Sequence, residues 1–211
     1  MIIFNIPKLN IMKNFTQTIT DPLATFKWFE RFLAAFFISI PLILFLTDKY
    51  KCGGSAGSFR SSISDYVYMW HNYVFGLLLG MAAMLFVFNG VVYFKNEDKG
   101  NIKLDRSGKW YNLVLGISLL GVVVFPWREH SFVHFTFAGI FFLGNAVVTG
   151  VFHTKTWRKS NIALAIFTVA GLGFYFLDHR LLHSFPAFTL FWAEWISVAV
   201  VAIHFFLDSL N

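Results

Sequence analysis

The chain has 211 residues, of which 57% are hydrophobic and only 13% are charged. Soluble domains carry about 25% charged residues, so this composition excludes a water-soluble globular protein. The formal net charge of +6 does not indicate a nucleic-acid partner, because the lysines and arginines lie in short segments between apolar runs. That distribution is typical of membrane proteins, in which basic loops set the topology.

Six apolar runs approach the length of roughly 20 residues that a helix needs to cross a bilayer. We therefore predict an all-α fold, a polytopic transmembrane bundle of six helices within residues 25–211. The predicted spans are residues 25–47, 70–94, 110–126, 131–153, 161–177 and 188–207. Three charged residues at the start of the first span, Lys27, Glu30 and Arg31, are expected to snorkel to the membrane interface.

The connecting segments predict the orientation of the bundle. Lysine and arginine are concentrated in residues 95–109 and 155–159 and recur in residues 1–24, and such segments stay in the cytoplasm. Six spans return the C-terminus to the same side, so both termini are predicted to be cytoplasmic. We expect a multi-pass protein of the cell membrane, here a bacterial inner membrane.

Residues 1–24 form a separate N-terminal segment in this prediction. Hydrophobic residues alternate there with polar ones, which fits either a partly disordered cytoplasmic tail or a short helix lying on the membrane surface. Translation could begin at Met1 or at Met12. The sequence leaves both questions open.

Ionisable residues gather at the outer ends of the predicted spans. Neutral imidazoles together with carboxylates suit zinc or another divalent metal, so His71, His134, His179 and His183 are the predicted metal ligands. The remaining candidates are Ser64, Asp65, Glu129 and Glu194 as catalytic residues, and Arg128 and Arg180 as residues of a substrate pocket.

Glu194 lies within the sixth predicted span, where a lipid-facing carboxylate would be costly. We therefore expect its side chain to face the bundle interior and to pair with Arg128, Arg180 or a histidine.

Small residues predict a second interior feature. Gly76 and Gly80 have the spacing that allows close helix contact, which we expect within the bundle, with dimerisation as the alternative.

Two alternatives to a metal site stay open. The same residues could form a metal-free cavity for lipid headgroups, or could simply be solvated at headgroup level. Serine nucleophile chemistry would need Ser64 to act with an imidazole oriented by Asp65. Capping of a short helix by Asp65 or a neighbouring serine is the more ordinary role, and we favour it.

Short motifs carry a family resemblance. Ile63-Ser64-Asp65 in the first outer loop, Val74-Phe75 entering the second span and His134 opening the fourth resemble the damage-regulated autophagy modulator (DRAM) family and its GPI-remodelling relatives. The chain departs from that pattern at Tyr66-Val67-Tyr68. There it is similar to small bacterial multi-span membrane proteins, which share motifs matching Ser62-Ile63-Ser64-Asp65-Tyr66, His134-Phe135, Thr154-Lys155-Thr156 and Phe191-Trp192-Ala193-Glu194.

The resemblance covers roughly residues 60–200 and implies a six-helix bundle with a polar outer site that acts on lipids. Together with the outer residues it predicts an integral membrane protein with an outward-facing polar pocket for a lipid or other amphiphile. A metal-assisted lipid hydrolase and a non-enzymatic lipid-binding or partner-binding subunit both fit. A membrane-protein partner or a homo-oligomer is compatible with either, and the sequence does not decide whether the protein is an enzyme.

Overall fold

The computed structural model describes residues 22–51, 59–97, 109–152 and 156–210. Within these ranges all regular secondary structure is helical. The six α-helices are α1 (Pro22–Lys51), α2 (Asn72–Glu97), α3 (Tyr111–Val124), α4 (Ser131–Val151), α5 (Arg158–Leu177) and α6 (Leu190–Ser209). A 3-10 turn (Ser64–Tyr68) precedes α2, and a wide π turn (Asp178–Leu182) extends α5.

The helices form a closed ring. Each helix packs on its neighbour in sequence, α1 also packs on α6, and α4 contacts α6 across the ring. Arg31 Nε donates to Ser209 Oγ at 3.1 Å, so the start of α1 lies beside the end of α6. We call the end of the bundle that carries residues 59–71, 125–130 and 178–189 the loop end, and the other the opposite end.

Four phenylalanines fill the centre of the ring. Phe86 makes edge-to-face contacts with Phe37, Phe141 and Phe205 at centroid distances of 5.2–5.8 Å. These side chains come from α1, α2, α4 and α6 and are all nearly inaccessible. Edge-to-face aromatic pairs add to the stabilisation from buried area, so this cluster fixes how the four helices meet.

Helices α2 and α3 approach each other most closely at two glycines. A Cβ at Gly116 would lie 2.7 Å from the Ala83 carbonyl oxygen, and one at Gly90 would lie 2.7 Å from the Leu113 nitrogen. The predicted internal contact at Gly76 and Gly80 is wrong, because a Cβ at either position would meet nothing within 4 Å. Those two glycines face away from the neighbouring helices.

In the part of the chain that the structure describes, five helices are long and apolar enough to cross a membrane, whereas the 14-residue α3 is shorter. The all-helical bundle is therefore confirmed, and so is its multi-pass character. The observed α1 begins at Pro22, three residues before its predicted start. Helix α5 begins at Arg158, because the polar residues Arg158, Lys159 and Ser160 continue the helix beyond the apolar run. The N-terminal segment predicted at 1–24 lies almost entirely outside the described residues.

Candidate functional site

The loop that precedes α2 folds over the loop end of the bundle. Its 3-10 turn begins where Ser62 Oγ accepts a hydrogen bond from the Asp65 backbone N–H at 3.1 Å. Ser62 Oγ also lies 3.0 Å from Ser64 Oγ. The predicted capping role of a serine is confirmed, and Ser64 is hydrogen-bonded to a serine rather than to an imidazole.

Asp65 ties this loop to the next one. One carboxylate oxygen accepts from Trp127 Nε1 at 2.8 Å, and the other accepts from Ser61 Oγ. The side chain is buried, at 8% exposure. Because both oxygens are engaged within the protein, Asp65 holds residues 61–65 against Trp127 between α3 and α4.

A second anchor joins the loop to the end of α1. Arg60 donates to both carboxylate oxygens of Asp48, at 2.8 and 3.0 Å, and this hydrogen bonding raises the pKa of Arg60. The guanidinium also lies over the ring of Tyr66, whose own pKa is raised to about 12 by burial. The Tyr66 phenol is therefore neutral at physiological pH. Neither Asp48 nor Arg60 stood out in the sequence.

Glu194 fastens the loop to α6. Its side chain is 6% exposed, so the prediction that it faces the bundle interior is confirmed. Its predicted partners are wrong, however, because Glu194 Oε2 accepts from the Ile63 backbone N–H at 2.5 Å. One turn earlier on α6, the Phe191 N–H donates to the Ser61 carbonyl at 2.8 Å.

His134 is the one predicted metal ligand with a buried side chain, at 3% exposure. Its Nδ1 lies 2.8 Å from the Phe125 carbonyl oxygen. A carbonyl only accepts hydrogen bonds, so Nδ1 carries the proton and a neutral ring leaves Nε2 as the basic nitrogen. A backbone carbonyl that fixes the tautomer in this way is a common feature of functional histidines.

A cavity of about 30 Å³ lies beside this histidine. Ser64, His134 and Glu194 line it, and apolar side chains from α1 to α4 and α6 form the rest of its wall. Pro41 and Phe37 of α1 also border it. Proline has no N–H to donate to the carbonyl four residues earlier, so the Phe37 carbonyl lacks its helical partner. The cavity has the volume and polar groups to hold one or two water molecules.

The predicted metal ligands are not brought together. Among the described residues, no group of three or more His, Cys, Asp or Glu side chains could hold a metal ion. His179 and His183 are exposed, and His71 is partly exposed. His179 stacks on Tyr175 at 5.4 Å between ring centroids. The zinc site stays a prediction that this geometry does not support.

The predicted pocket residue Arg128 and the predicted catalytic residue Glu129 lie on the exposed rim of the loop end. Tyr68 Oη donates to Glu129 Oε2 at 2.8 Å and accepts from the Arg128 backbone N–H at 2.9 Å. The Arg128 guanidinium lies 4.3 Å from the centroid of the Tyr68 ring. Arg180 is exposed in the π turn. These side chains therefore surround the loop end without entering the cavity.

The opposite end holds a buried ion cluster that the sequence did not indicate. Lys109 Nζ contacts Glu30 Oε1 and lies 3.1 Å from Asp208 Oδ2. His204 Nε2 lies 3.9 Å from the same Asp208 oxygen, and His204 Nδ1 lies 3.1 Å from Asn161 Oδ1. Every member is at most 7% exposed. The expectation that Glu30 snorkels to the interface is wrong, because Lys109 provides a partner inside the bundle.

The ring of long apolar helices indicates a multi-pass helical membrane protein. A model for a family of unknown function, DUF7103, matches residues 39–209, and the chain belongs to that family. No curated protein and no solved structure matches the chain. The resemblance to the DRAM family stays a prediction.

Proposed function

We propose that the protein crosses the bacterial inner membrane six times with both termini in the cytoplasm. The lysine-rich residues 95–109 and 155–159 then face the cytoplasm, as the positive-inside rule requires. Helix α3 is the short span. Its 14 residues rise only about 21 Å, and the aromatic residues at its two ends, Trp110 and Trp127, would lie in the two interfaces.

This topology predicts which cysteines a membrane-impermeant maleimide reaches. Cys52, which lies outside the described residues, should be labelled on intact cells. In a Cys52→Ser background, Lys103→Cys should be labelled only after lysis. The reverse pattern would show that the bundle is inserted with its loop end in the cytoplasm.

We further propose that the cavity at the loop end engages the polar part of a lipid or other amphiphile. The observation that carries this proposal is that Ser64, His134 and Glu194 line one cavity with otherwise apolar walls. Burying three polar groups at membrane depth is costly, and such groups usually serve function. An amphiphile matches both the polar groups and the apolar wall.

Entry of a headgroup requires the loop at residues 59–71 to move. The cavity has room only for water, and Arg60, Asp65 and Ile63 anchor the loop to α1, Trp127 and α6 respectively. The loop also buries Ile63, Tyr66 and Met69 in the core. Opening would therefore break the anchoring hydrogen bonds and lift these three side chains out, while the four central phenylalanines come from helices outside the loop. We therefore regard residues 59–71 as the cover of the site.

Hydrolysis is the sharper form of this proposal. As a cavity water attacks the carbonyl carbon of a lipid ester, its proton would pass to His134 Nε2, the basic nitrogen of the oriented ring. The tetrahedral intermediate would then expel the alcohol, which takes the proton from His134, and a fatty acid would be released. The metal-assisted form lacks a ligand set among the described residues, so the metal-free form is the one we carry forward.

The test uses His134→Gln in vesicles of phosphatidylethanolamine and phosphatidylglycerol. Loss of a general base costs about 100-fold to 10,000-fold in rate, so this variant should release almost no fatty acid while wild-type protein does. His130→Gln, an exposed histidine one turn earlier, is the matched control and should behave as wild type. Mass spectrometry of free fatty acids gives the rate.

The same samples separate the enzyme from a non-enzymatic lipid-binding subunit. If wild-type protein releases no fatty acid but His134→Gln retains less co-purified phospholipid than His130→Gln, the binding form stands alone. If the two variants match wild type in both release and retention, the cavity is not a lipid site.

A further inference from the structure

Helices α4 and α5 border an open apolar groove that faces away from the ring. Its volume is about 560 Å³, and every side chain that lines it is apolar. Small residues form its floor. A Cβ at Gly150 would lie 3.1 Å from the Ala165 Cβ, so the two helices nearly touch there and leave the groove above them open.

The groove ends at two cations. Its α5 wall includes Ile162, Ile166 and Val169, which repeat every three or four residues and so share one helix face. Arg158 lies four residues before Ile162 on the same face of α5. Lys159 follows Arg158 in the chain. Both are exposed, and neither forms an ion pair with a described residue.

The start of α5 adds to this positive end. Its first turn contains no acidic residue, and Trp157 at the N-cap gives it no side-chain cap. The unpaired N–H groups of a first turn favour an anion. Arg158, Lys159 and the helix terminus therefore present positive charge to one mouth of an entirely apolar groove.

We propose that this groove holds an acyl chain of an anionic phospholipid whose phosphate lies against Arg158 and Lys159. A basic site between transmembrane helices next to an apolar channel has the chemistry for such a lipid. The groove volume falls within the range of small-molecule sites. In the proposed topology this mouth faces the cytoplasmic leaflet. The site is separate from the cavity at the loop end and does not depend on its function.

The charge arm of the test compares phosphatidylglycerol with phosphatidylcholine of identical acyl chains. Native mass spectrometry of detergent-purified protein counts the lipids retained. Each lysine or arginine near an anionic lipid adds to the affinity for that lipid. Removing both Arg158 and Lys159 should therefore lower the affinity for phosphatidylglycerol about tenfold or more. Arg158→Gln/Lys159→Gln should therefore lose its preference for phosphatidylglycerol. Lys27→Gln, which removes a charge from α1 at the same end of the bundle, should keep the preference.

A second pair of variants tests the groove itself and keeps Arg158 and Lys159 unchanged. Ala170 lines the groove and is exposed, so Ala170→Trp should fill the groove and reduce retention of both lipids. Ala163 is equally exposed on α5 but does not line the groove, and Ala163→Trp is the matched control. Equal retention by the two tryptophan variants would overturn the proposal, as would an unchanged preference in Arg158→Gln/Lys159→Gln. Loss of a dimer in Ala170→Trp with lipid retention unchanged would instead assign the groove to a second copy of the chain.

Discussion

Replacing Lys109 with methionine should lower the free energy of unfolding by about 3–5 kcal/mol, the cost typical of removing one partner from a buried ion pair. Methionine keeps most of the lysine's length, so the loss reports the ammonium rather than a cavity. That ammonium contacts the carboxylates of Glu30 and Asp208, and all three side chains are at most 7% exposed. Two buried acidic groups would lose the cation between them.

The measurement is unfolding in mixed detergent micelles, followed by near-ultraviolet circular dichroism. Lys159→Met is the control, because Lys159 is exposed and such a surface change usually stays within about 0.5 kcal/mol. Adding Glu30→Gln to Lys109→Met should recover part of the loss, with a coupling of about 0.5–3 kcal/mol. The free energy of unfolding of Lys109→Met could instead lie within about 1 kcal/mol of that of Lys159→Met, well below the cost of breaking a buried ion pair. That result would mean that the cluster does not hold α1 to α6.

The helices of this fold could be predicted because lipid imposes a simple rule on sequence. A span needs roughly 20 apolar residues, and five of the six predicted runs contain helices that meet that rule. Helix ends were less predictable, because a helix can continue beyond the apolar run through polar residues, as α1 does from Asp48 to Lys51. The close contact between α2 and α3 was missed because Gly90 and Gly116 lie on different helices and share no spacing in the sequence, so only packing identifies them.

The ion cluster could not be read from the sequence for a different reason. Glu30 and Lys109 both lie at the ends of apolar segments, where long charged side chains normally snorkel to water. Their burial depends on closure of the ring, which brings the start of α1 next to the end of α6 and to Lys109, two residues before α3. No local pattern distinguishes a charge that snorkels from one that is paired inside.

Glu194 shows both the strength and the limit of sequence reasoning about the site. The cost of a lipid-facing carboxylate predicted its inward orientation correctly. Its partner is the backbone N–H of Ile63, 131 residues away in the chain. Every residue except proline carries the same backbone donor, so nothing in the sequence marks Ile63 as the partner.

Removing the Glu194 carboxylate should release residues 59–71, the cover of the site. Glu194→Ala leaves the Ile63 N–H buried without its acceptor, which typically costs about 1–3 kcal/mol. The cost should be local, because the carboxylate holds the loop rather than the phenylalanine core. We therefore expect the same micelle unfolding experiment to show this loss, and amide hydrogen exchange at Ile63 to become faster while exchange within α2 and α6 stays slow.

Two variants test whether hydrogen bonding or charge is responsible. Glu194→Gln keeps an oxygen acceptor for Ile63 and cannot ionise, so it should stay within about 1 kcal/mol of wild type if the hydrogen bond is what matters. Glu129→Ala removes an exposed carboxylate that accepts from Tyr68, and it should leave exchange at Ile63 unchanged. If Glu194→Gln is as unstable as Glu194→Ala, the negative charge itself stabilises the bundle. If instead neither variant changes exchange at Ile63, the loop is held by its contacts to Asp48 and Trp127, and Glu194 does not secure the cover.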